Sequence, residues 1–152
     1  MSRETDNELR VGSAAFGDGG SIPPKYTCEG ENVNPPLEIS GLPENTKSLA
    51  LIVEDPDAPK GVYDHWIVWN IPPNEAIREN SRPGVSGKNS FGNTGYGGPC
   101  PPSGSHRYFF KVYALDSDLK IQAGSDKKAL QDAMKDHMLG SGELMGHYQK
   151  RK

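Results

Sequence analysis

Residues 48–54 read SLALIVE, residues 65–71 read HWIVWNI, and residues 106–115 read HRYFFKVYAL. Each stretch is rich in aliphatic, β-branched or aromatic residues over the length of a buried strand. The chain between the second and third stretches, residues 72–105, is rich in Gly and Pro and reads as a long loop region, which in a compact domain is often functional. These patterns predict a mainly β fold with a β-sandwich architecture.

Helical spacing is found only near the C terminus. Ser125 is predicted to cap a helix that Gly140 ends, and a second short helical turn is predicted over residues 141–148. The apolar residues that recur at helical spacing in the first helix are Ala129, Leu130, Ala133, Met134 and Met138. We therefore expect short C-terminal helices that cover a β core.

The length of 152 residues fits one domain. We predict residues 1–10 as a flexible N-terminal arm and residues 11–152 as a single domain. The net charge of −3 provides no basic surface for nucleic acid. The longest aliphatic run, residues 49–53, is far short of the roughly 20 residues of a membrane span. The first ten residues contain no apolar export signal, so a cytoplasmic protein is predicted.

The cysteines and histidines show no metal-binding pattern. Cys28 and Cys100 lie far apart in the chain, and reduced thiols are expected for a cytoplasmic protein, with one long-range disulfide as the alternative in a thermophile. The four histidines form neither H-x-H nor H-E-x-x-H. We therefore predict no metal and no cofactor.

Polar residues end the apolar rows of all three predicted strands. Because side chains alternate along a strand, Asp55 continues the apolar face of the first strand, and His65 begins the face that contains Ile67, Trp69 and Ile71. His106 and Tyr108 begin the row of the third strand. Antiparallel pairing of the first two strands would place Asp55 near His65. Each residue taken alone also fits an ordinary strand end without a function.

Nucleophile and phosphate-loop motifs are absent from the sequence. There is no G-x-S-x-G elbow, and the Gly87-Lys88 pair lacks the upstream glycine of a phosphate-binding loop. A Cys100 thiolate activated by His106 remains an alternative. The remaining pattern of a carboxylate, two imidazoles and a phenol favours binding over catalysis.

Three motifs resemble a known family. Residues 55–59 read DPDAP, His65-Trp66 follows, and residues 104–108 read GSHRY. They are similar, in order and spacing, to the D-P-D-x-P and G-x-H-R motifs of phosphatidylethanolamine-binding proteins, also called Raf-kinase-inhibitor-like proteins. Segments that resemble the bacterial and archaeal branch are YTCEG at 26–30, GYGGPCPP at 95–102, YALD at 113–116 and ELMG at 143–146. The resemblance covers about residues 11 to 148.

The resemblance implies a β-sandwich with Greek-key strands and a small pocket for anions, such as the phosphate of a lipid head group or of a phosphorylated residue. It also implies a homodimer, which the apolar residues on both faces of 65–71 support. Arg107 has the opposite parity to His106 and is expected to brace the loops. The implied ligand-binding residues are Asp55, Pro56, Asp57, Pro59, His65, Gly98, Pro99, Pro101, Pro102, His106 and Tyr108.

Three functions remain open at this point. The first is a non-enzymatic binding and regulatory protein with a phosphate-like ligand and a protein partner such as a peptidase or kinase. The second is a protease inhibitor that acts through surface loops, and the third is a hydrolase that uses an Asp/His pair. We also expect Cys100 near the pocket rim and at least one cis peptide bond within residues 55–60 or 98–102.

Overall fold

The computed structural model of the chain describes residues 8–74 and 76–150. Within these residues, eight strands, one 3-10 turn and one α-helix form. The strands are β1 (Arg10–Gly12), β2 (Gly20–Ser21), β3 (Glu38–Ser40), β4 (Ser48–Asp55), β5 (Tyr63–Ile71), β6 (Val85–Ser86), β7 (Ser105–Leu115) and β8 (Met138–Gln149). The 3-10 turn is Pro24–Tyr26 and the helix is α1 (Lys127–Met134). The predicted mainly β class is confirmed, and β4, β5 and β7 are the three predicted strands.

Six strands form the main sheet, in the order β2-β8-β7-β4-β5-β6, and β1 and β3 form a second, two-stranded sheet. Only the β2–β8 pair in the main sheet is parallel. The strand β4 lies between β7 and β5, and seven of its eight residues are buried. This position explains the nearly continuous apolar sequence of β4, because both faces of a central strand are covered.

Two hydrophobic cores cover the two faces of the main sheet. Leu51, Trp66 and Phe110 belong to the first core, against which Val11 and Ile39 of the small sheet also pack. The second core lies between the main sheet and α1, and its buried residues are Ala50, Ile52, Ile67, Trp69, Leu115, Leu119, Leu130 and Met134. The apolar residues on both faces of β5 are therefore buried within one chain, and they do not indicate a dimer surface.

The predicted second helical turn is wrong, because residues 141–148 belong to β8. This strand pairs with β7 along its length, from His106 opposite Tyr148 to Leu115 opposite Met138. A spacing of four fits one helix face and also one face of a strand, so Leu144 and Tyr148 did not distinguish the two. Gly142 and Gly146 do not decide between the two either, since glycine weakens a helix and a strand alike. A Cβ at Gly142 would lie 2.3 Å from the Leu9 carbonyl oxygen.

The predicted bounds of α1 also need correction. Asp126 caps the helix, and its side chain accepts a hydrogen bond from the Ala129 N–H. The Ser125 hydroxyl instead donates to the Gln122 carbonyl. The helix ends at Met134, well before Gly140, which lies in β8. The residues from Met138 onward pair with β7 as a strand and therefore cannot continue the helix.

The predicted N-terminal arm overlaps with the folded part of the chain. Leu9 is buried in the first core, and Arg10 pairs with Ser40 as the first residue of β1. Residues 1–7 of the predicted arm lie outside the described residues. No helix in the described part of the chain is long and apolar enough to cross a membrane.

The expected cis peptide bond is absent, since all peptide bonds that the structure describes are trans. In the loop after β4, the turn is closed by a side chain instead, because an Asp55 carboxylate oxygen accepts the Asp57 N–H at 2.7 Å. Such a local bond from an Asp to the backbone two residues on stabilises a turn without a cis bond. Hydrogen bonds from residues 26–32 hold the second loop, as described below.

Candidate functional site

The end of β4 and the start of β7 bring Asp55 and His106 together in the protein interior. The Nδ1 of His106 lies 2.7 Å from Oδ2 of Asp55, and the two residues are only 7% and 3% exposed. The other carboxylate oxygen of Asp55 accepts the Asp57 N–H. Both oxygens are therefore used within the protein, and Asp55 fixes the orientation of the His106 ring. The pairing of β4 with β5 also places Asp55 near His65, as the sequence predicted, but the hydrogen bond of Asp55 is with His106.

His65 enters the site through a β-bulge in β5. Val53 pairs with Trp66 and Glu54 with Asp64, which leaves His65 as the extra residue between them. The bulge breaks the simple alternation that the sequence analysis assumed. Ile67 and Trp69 consequently face the second core, whereas His65 contacts Tyr108 of the first core with ring centroids 5.2 Å apart.

The imidazole of His65 is held by backbone and aromatic groups. Its Nδ1 lies 2.7 Å from the Gly97 carbonyl oxygen, which can only accept a hydrogen bond. Burial lowers the pKa of His65, although the Gly97 and Gly98 backbone and the Asp55 charge oppose this effect. Burial outweighs these opposing effects, and a pKa below 6.5 leaves the His65 ring mainly neutral at pH 7.

The hydroxyl of Tyr108 is buried, and no hydrogen bond of normal geometry within the described chain satisfies it, although the Asp55 carboxylate and the Cys100 backbone lie close enough to act on it. The residue is only 1% exposed. Burial raises the pKa of Tyr108, and the Asp55 charge adds to this shift, so the hydroxyl keeps its proton. A buried polar atom without a partner costs free energy unless a ligand or water satisfies it.

These groups line a cavity of 160 Å³ at the ends of the central strands β4, β5 and β7. Its lining residues are Asp55, Ala58, Pro59, Tyr63, His65, Phe91, Cys100, Pro101, Pro102, His106 and Tyr108. Seven of the predicted ligand-binding residues are among them, together with Cys100, which the sequence analysis placed near the rim. The predicted residues that do not line the cavity are Pro56, Asp57, Gly98 and Pro99.

Asp57 binds Arg107 instead of facing the cavity. The Nε and Nη2 atoms of Arg107 lie 2.9 Å and 2.8 Å from the two Asp57 carboxylate oxygens, and the Arg107 backbone N–H also donates to Asp57. These hydrogen bonds lower the pKa of Asp57 to about 2. The expectation that Arg107 braces the loops is confirmed, with Asp57 as its partner.

Gly98 and Pro99 support the cavity wall from behind. A Cβ at Gly98 would lie 2.3 Å from the Tyr26 carbonyl oxygen, so only glycine fits this close approach. The Gly98 N–H donates to Oδ1 of Asn32, and the Pro99 carbonyl accepts the Cys28 N–H. The wall formed by residues 98–102 is thus fixed to residues 26–32.

Cys28 and Cys100 form a disulfide, so the prediction of reduced thiols is wrong. The hydrogen bonds between residues 26–32 and 98–99 bring the two Cα atoms within 5.4 Å, which suits a disulfide. The sequence separation of the two cysteines concealed this contact. A disulfide-bonded Cys100 provides no thiolate, and the cysteine-nucleophile alternative is removed for the oxidised protein.

Two aromatic residues of the cavity, Tyr63 and Phe91, were missed. Tyr63 lies two positions before His65 in β5, so strand alternation could have found it. Phe91 lies in a loop with no periodic pattern. The buried side chain of Asn89 holds this loop by accepting the Phe91 and Asn93 N–H groups and donating to the Gly95 carbonyl.

Phe91 covers His65 at the mouth of the cavity. Its ring centroid lies 5.3 Å from that of His65 and 5.0 Å from that of Tyr63, in edge-on geometry. The side chain is partly in solvent, with the residue 42% exposed. Ser90 fixes the loop to β5, because its N–H donates to the Asp64 carbonyl and its hydroxyl accepts the Asp64 N–H.

Replacing Phe91 with Ala should raise the pKa of His65 toward the ordinary value of about 6.5. Loss of the ring admits water to the imidazole and weakens the burial that disfavours its charged form. The pKa is measured by NMR titration of the imidazole resonances, with the His65 signals assigned from a His65→Gln variant. Phe109→Ala, which removes an aromatic ring packed against Arg107 and Lys111, is the control and should leave this pKa unchanged. An unchanged pKa in Phe91→Ala would contradict the prediction.

The fold and the site define a class of protein: a mainly β domain with a small, partly enclosed cavity that opens where its central strands end. Residues 12–149 match the phosphatidylethanolamine-binding protein family, and the chain belongs to this family. Within residues 8–74 and 76–150, no group of three or more His, Cys, Asp and Glu residues is placed to hold a metal ion.

Archaeal and bacterial relatives cover nearly the whole chain. A UPF0098 protein of Pyrococcus horikoshii is 49% identical over 97% of this chain and 80% of the relative. A UPF0098 protein of Methanothermobacter thermautotrophicus is 49% identical over 93% of this chain and 99% of the relative. These similarities place the chain among prokaryotic members of the family.

Solved structures agree with this assignment. A phosphatidylethanolamine-binding protein homologue of Chlamydia trachomatis is 43% identical, with a TM-score of 0.91 over 95% of this chain and 99% of that one. The Escherichia coli protein YbcL is 32% identical, with a TM-score of 0.86 over 95% of this chain and 99% of that one. A carboxypeptidase Y inhibitor shares only the fold, with 18% identity and a TM-score of 0.54 over 94% of this chain and 83% of that one.

Proposed function

We propose that this protein is a non-enzymatic binding and regulatory protein whose cavity takes a small phosphate-like anion. The observation that carries the proposal is the buried Tyr108 hydroxyl, which no hydrogen bond of normal geometry within the described chain satisfies and which belongs to a residue that lines the cavity. An oxyanion is a strong acceptor for such a donor. The ring Nε2 atoms of His65 and His106 are available in the same cavity, since Nδ1 of each ring is already bound.

The size and walls of the cavity support a small head group. A volume of 160 Å³ is well below the roughly 300 Å³ at which pockets for drug-sized ligands begin. Apolar residues, including Pro59, Phe91 and Pro101, surround the polar groups and exclude water from them. In such surroundings, hydrogen bonds to an anion are stronger than in bulk water. The net charge of −3 repels anions at long range, so attraction must come from within the cavity.

Sulfate binding should strengthen as the pH falls from 8 to 5.5. The charge of sulfate does not change in this interval, whereas protonation of His65 converts its Nε2 from an acceptor to a donor. Because burial lowers the pKa of His65, the contribution of this residue increases mainly toward the acid end. Isothermal titration calorimetry at both pH values measures the effect.

His106→Ala should largely abolish sulfate binding, because it removes one of the two imidazoles. His147→Ala, which changes a histidine of β8 outside the cavity lining, is the matched control and should bind like the wild type. Equal sulfate affinity at pH 5.5 and 8 would show that the imidazoles do not contribute. If neither sulfate nor inorganic phosphate binds at either pH, the proposed function is contradicted.

A hydrolase is the second candidate, and the Asp55–His106 hydrogen bond is the observation that favours it. A carboxylate that orients an imidazole is the arrangement of a general base. Cys100 is disulfide-bonded and no serine or threonine lines the cavity, so the base would have to activate water. Turnover of p-nitrophenyl phosphate or p-nitrophenyl acetate that is lost in His106→Ala would establish this alternative.

The protein partner, the homodimer and the cytoplasmic location are further proposals. A peptidase or kinase partner and the loop-mediated protease inhibitor follow from the family resemblance, and inhibition assays against peptidase and kinase panels test them. Sedimentation analysis tests the dimer. A cytoplasmic location is compatible with the disulfide in thermophilic organisms, whose intracellular proteins can be rich in disulfides.

A further inference from the structure

The hydrogen-bonding pattern of the cavity restricts the protonation state of its ligand. The Gly97 carbonyl can only accept, so the proton of a neutral His65 ring is on Nδ1 and the lone pair is on Nε2. The Nδ1 of His106 donates to the Asp55 carboxylate, which fixes the orientation of that ring. With His65 neutral, the cavity therefore offers an acceptor, Nε2 of His65, and a donor, the Tyr108 hydroxyl.

We propose that the cavity selects an oxyanion that carries its own proton, of which hydrogen phosphate is the simplest, over a fully deprotonated anion of the same charge and shape. This inference rests on the proposed anion-binding function and assigns the chemical class of its ligand. The P–OH group donates to an imidazole Nε2, and an unprotonated oxygen accepts from Tyr108. Sulfate has no proton to donate and meets a lone pair at the same position.

His65 is the acceptor that makes this selection. The charged and titratable groups that face it are Asp55 from β4, Asp64 and Tyr63 from β5, and His106 and Tyr108 from β7. The two carboxylates favour protonation of His65, and the loop that contains Phe91 places an uncharged ring against it. Burial under Phe91 and Tyr108 outweighs the carboxylates, so the pKa of His65 is lowered and its Nε2 remains an acceptor at pH 7.5.

A buried site that recognises the proton of its ligand discriminates strongly between anions. When the anion lacks that proton, one of its oxygens faces the His65 Nε2 and the two acceptors form no hydrogen bond. A site built to pair with one hydrogen bond of the ligand rejects the analogue that lacks it. Hydrogen phosphate and sulfate are nearly identical tetrahedral dianions at pH 7.5, and they differ in this proton. They form a matched pair of probes for the proposal.

Calorimetric titration at pH 7.5 should show that inorganic phosphate binds at least about tenfold more tightly than sulfate. His65→Ala removes the acceptor and should bring the ratio close to one. His65→Gln should keep a preference for phosphate, because the amide nitrogen can donate to Gly97 while the amide oxygen accepts. His147→Gln is the control outside the cavity and should preserve the wild-type ratio.

Methyl phosphate distinguishes free phosphate from a phosphate monoester as the source of the ligand. The second pKa of a monoester is about 6, so at pH 7.5 it must take up about one proton to bind in the selected form. Titrations in two buffers with different ionisation enthalpies count this proton. Tight binding with proton uptake supports a monoester ligand, and weak binding beside tight phosphate binding supports the free anion.

The outcomes separate the two proposals. Equal affinity of the wild type for phosphate and sulfate would overturn the selectivity and leave the anion-binding function intact. A preference for phosphate that persists in His65→Ala would also overturn it, since the discrimination would then come from another group. If neither phosphate nor sulfate binds at pH 5.5 or at pH 7.5, the proposed function itself is overturned.

Discussion

Removal of the disulfide by the double substitution Cys28→Ser and Cys100→Ser should lower the free energy of unfolding by about 4 kcal/mol. The bridge closes a loop across a sequence separation of 72 residues, and the unfolded chain gains the corresponding conformational entropy when it is removed. For a chain of this size, the melting temperature should fall by roughly 10 °C. Thermal and urea unfolding followed by circular dichroism measure both quantities.

Chemical reduction provides the control for this prediction. Cys28 is exposed, so a dithiol reductant should reach the bridge and lower the melting temperature of the wild type to that of the double variant. The same reductant should have no effect on the double variant. If the wild type is equally stable with and without reductant, the disulfide does not contribute to stability as argued.

The double substitution removes one of the links that hold the cavity wall but leaves others. The Tyr96 hydroxyl still donates to the Tyr26 carbonyl at 2.8 Å, and the Gly98 N–H still donates to Asn32 at 2.9 Å. Because these hydrogen bonds hold residues 96–98 in place, the double variant should retain sulfate binding at pH 5.5 at temperatures where it is folded. The disulfide thus acts mainly on global stability.

The central strands were predictable because their signal is local. In β4 apolar residues fill the strand because both of its faces are buried, whereas in β7 a buried face alternates with a half-buried or exposed one. The terminal strand β8 was not predictable in this way. Its many glycines and its four-residue spacing fit both helix and strand, and only the long pairing with β7 decides between them.

The candidate site shows the same division between local and nonlocal information. His106 and Asp55 were found because they end apolar rows of strands that lie side by side. The Asp55–His106 hydrogen bond joins β4 to β7, whereas His65 contacts the Gly97 carbonyl from a bulge in β5, and one extra residue in a strand leaves no mark in the sequence. Phe91 and the disulfide depend on how loops pack against each other, which strand periodicity cannot report.

The two aspartates of the DPDAP motif should differ sharply when each is replaced by Ala. Asp55→Ala should lower the free energy of unfolding by about 3 kcal/mol, because it leaves the His106 Nδ1–H and the Asp57 N–H without partners in the protein interior. Asp57→Ala should cost much less, since its partner Arg107 is largely exposed and water replaces the lost bonds. Urea unfolding of the two variants at pH 7 gives the comparison.

The pH dependence of stability distinguishes the two carboxylates further. The pKa of Asp57 is about 2 in the folded protein and 3.8 for a free aspartate, so its ion pair stabilises the fold above pH 3.8. That contribution is lost as the pH falls toward 2, because the folded protein then protonates Asp57 as well. The difference in stability between wild type and Asp57→Ala should therefore be constant at neutral pH and shrink across this acidic interval. Equal destabilisation by Asp55→Ala and Asp57→Ala at pH 7 would show that the buried Asp55–His106 contact is no more important than the exposed one, and the role of Asp55 in orienting His106 would have to be abandoned.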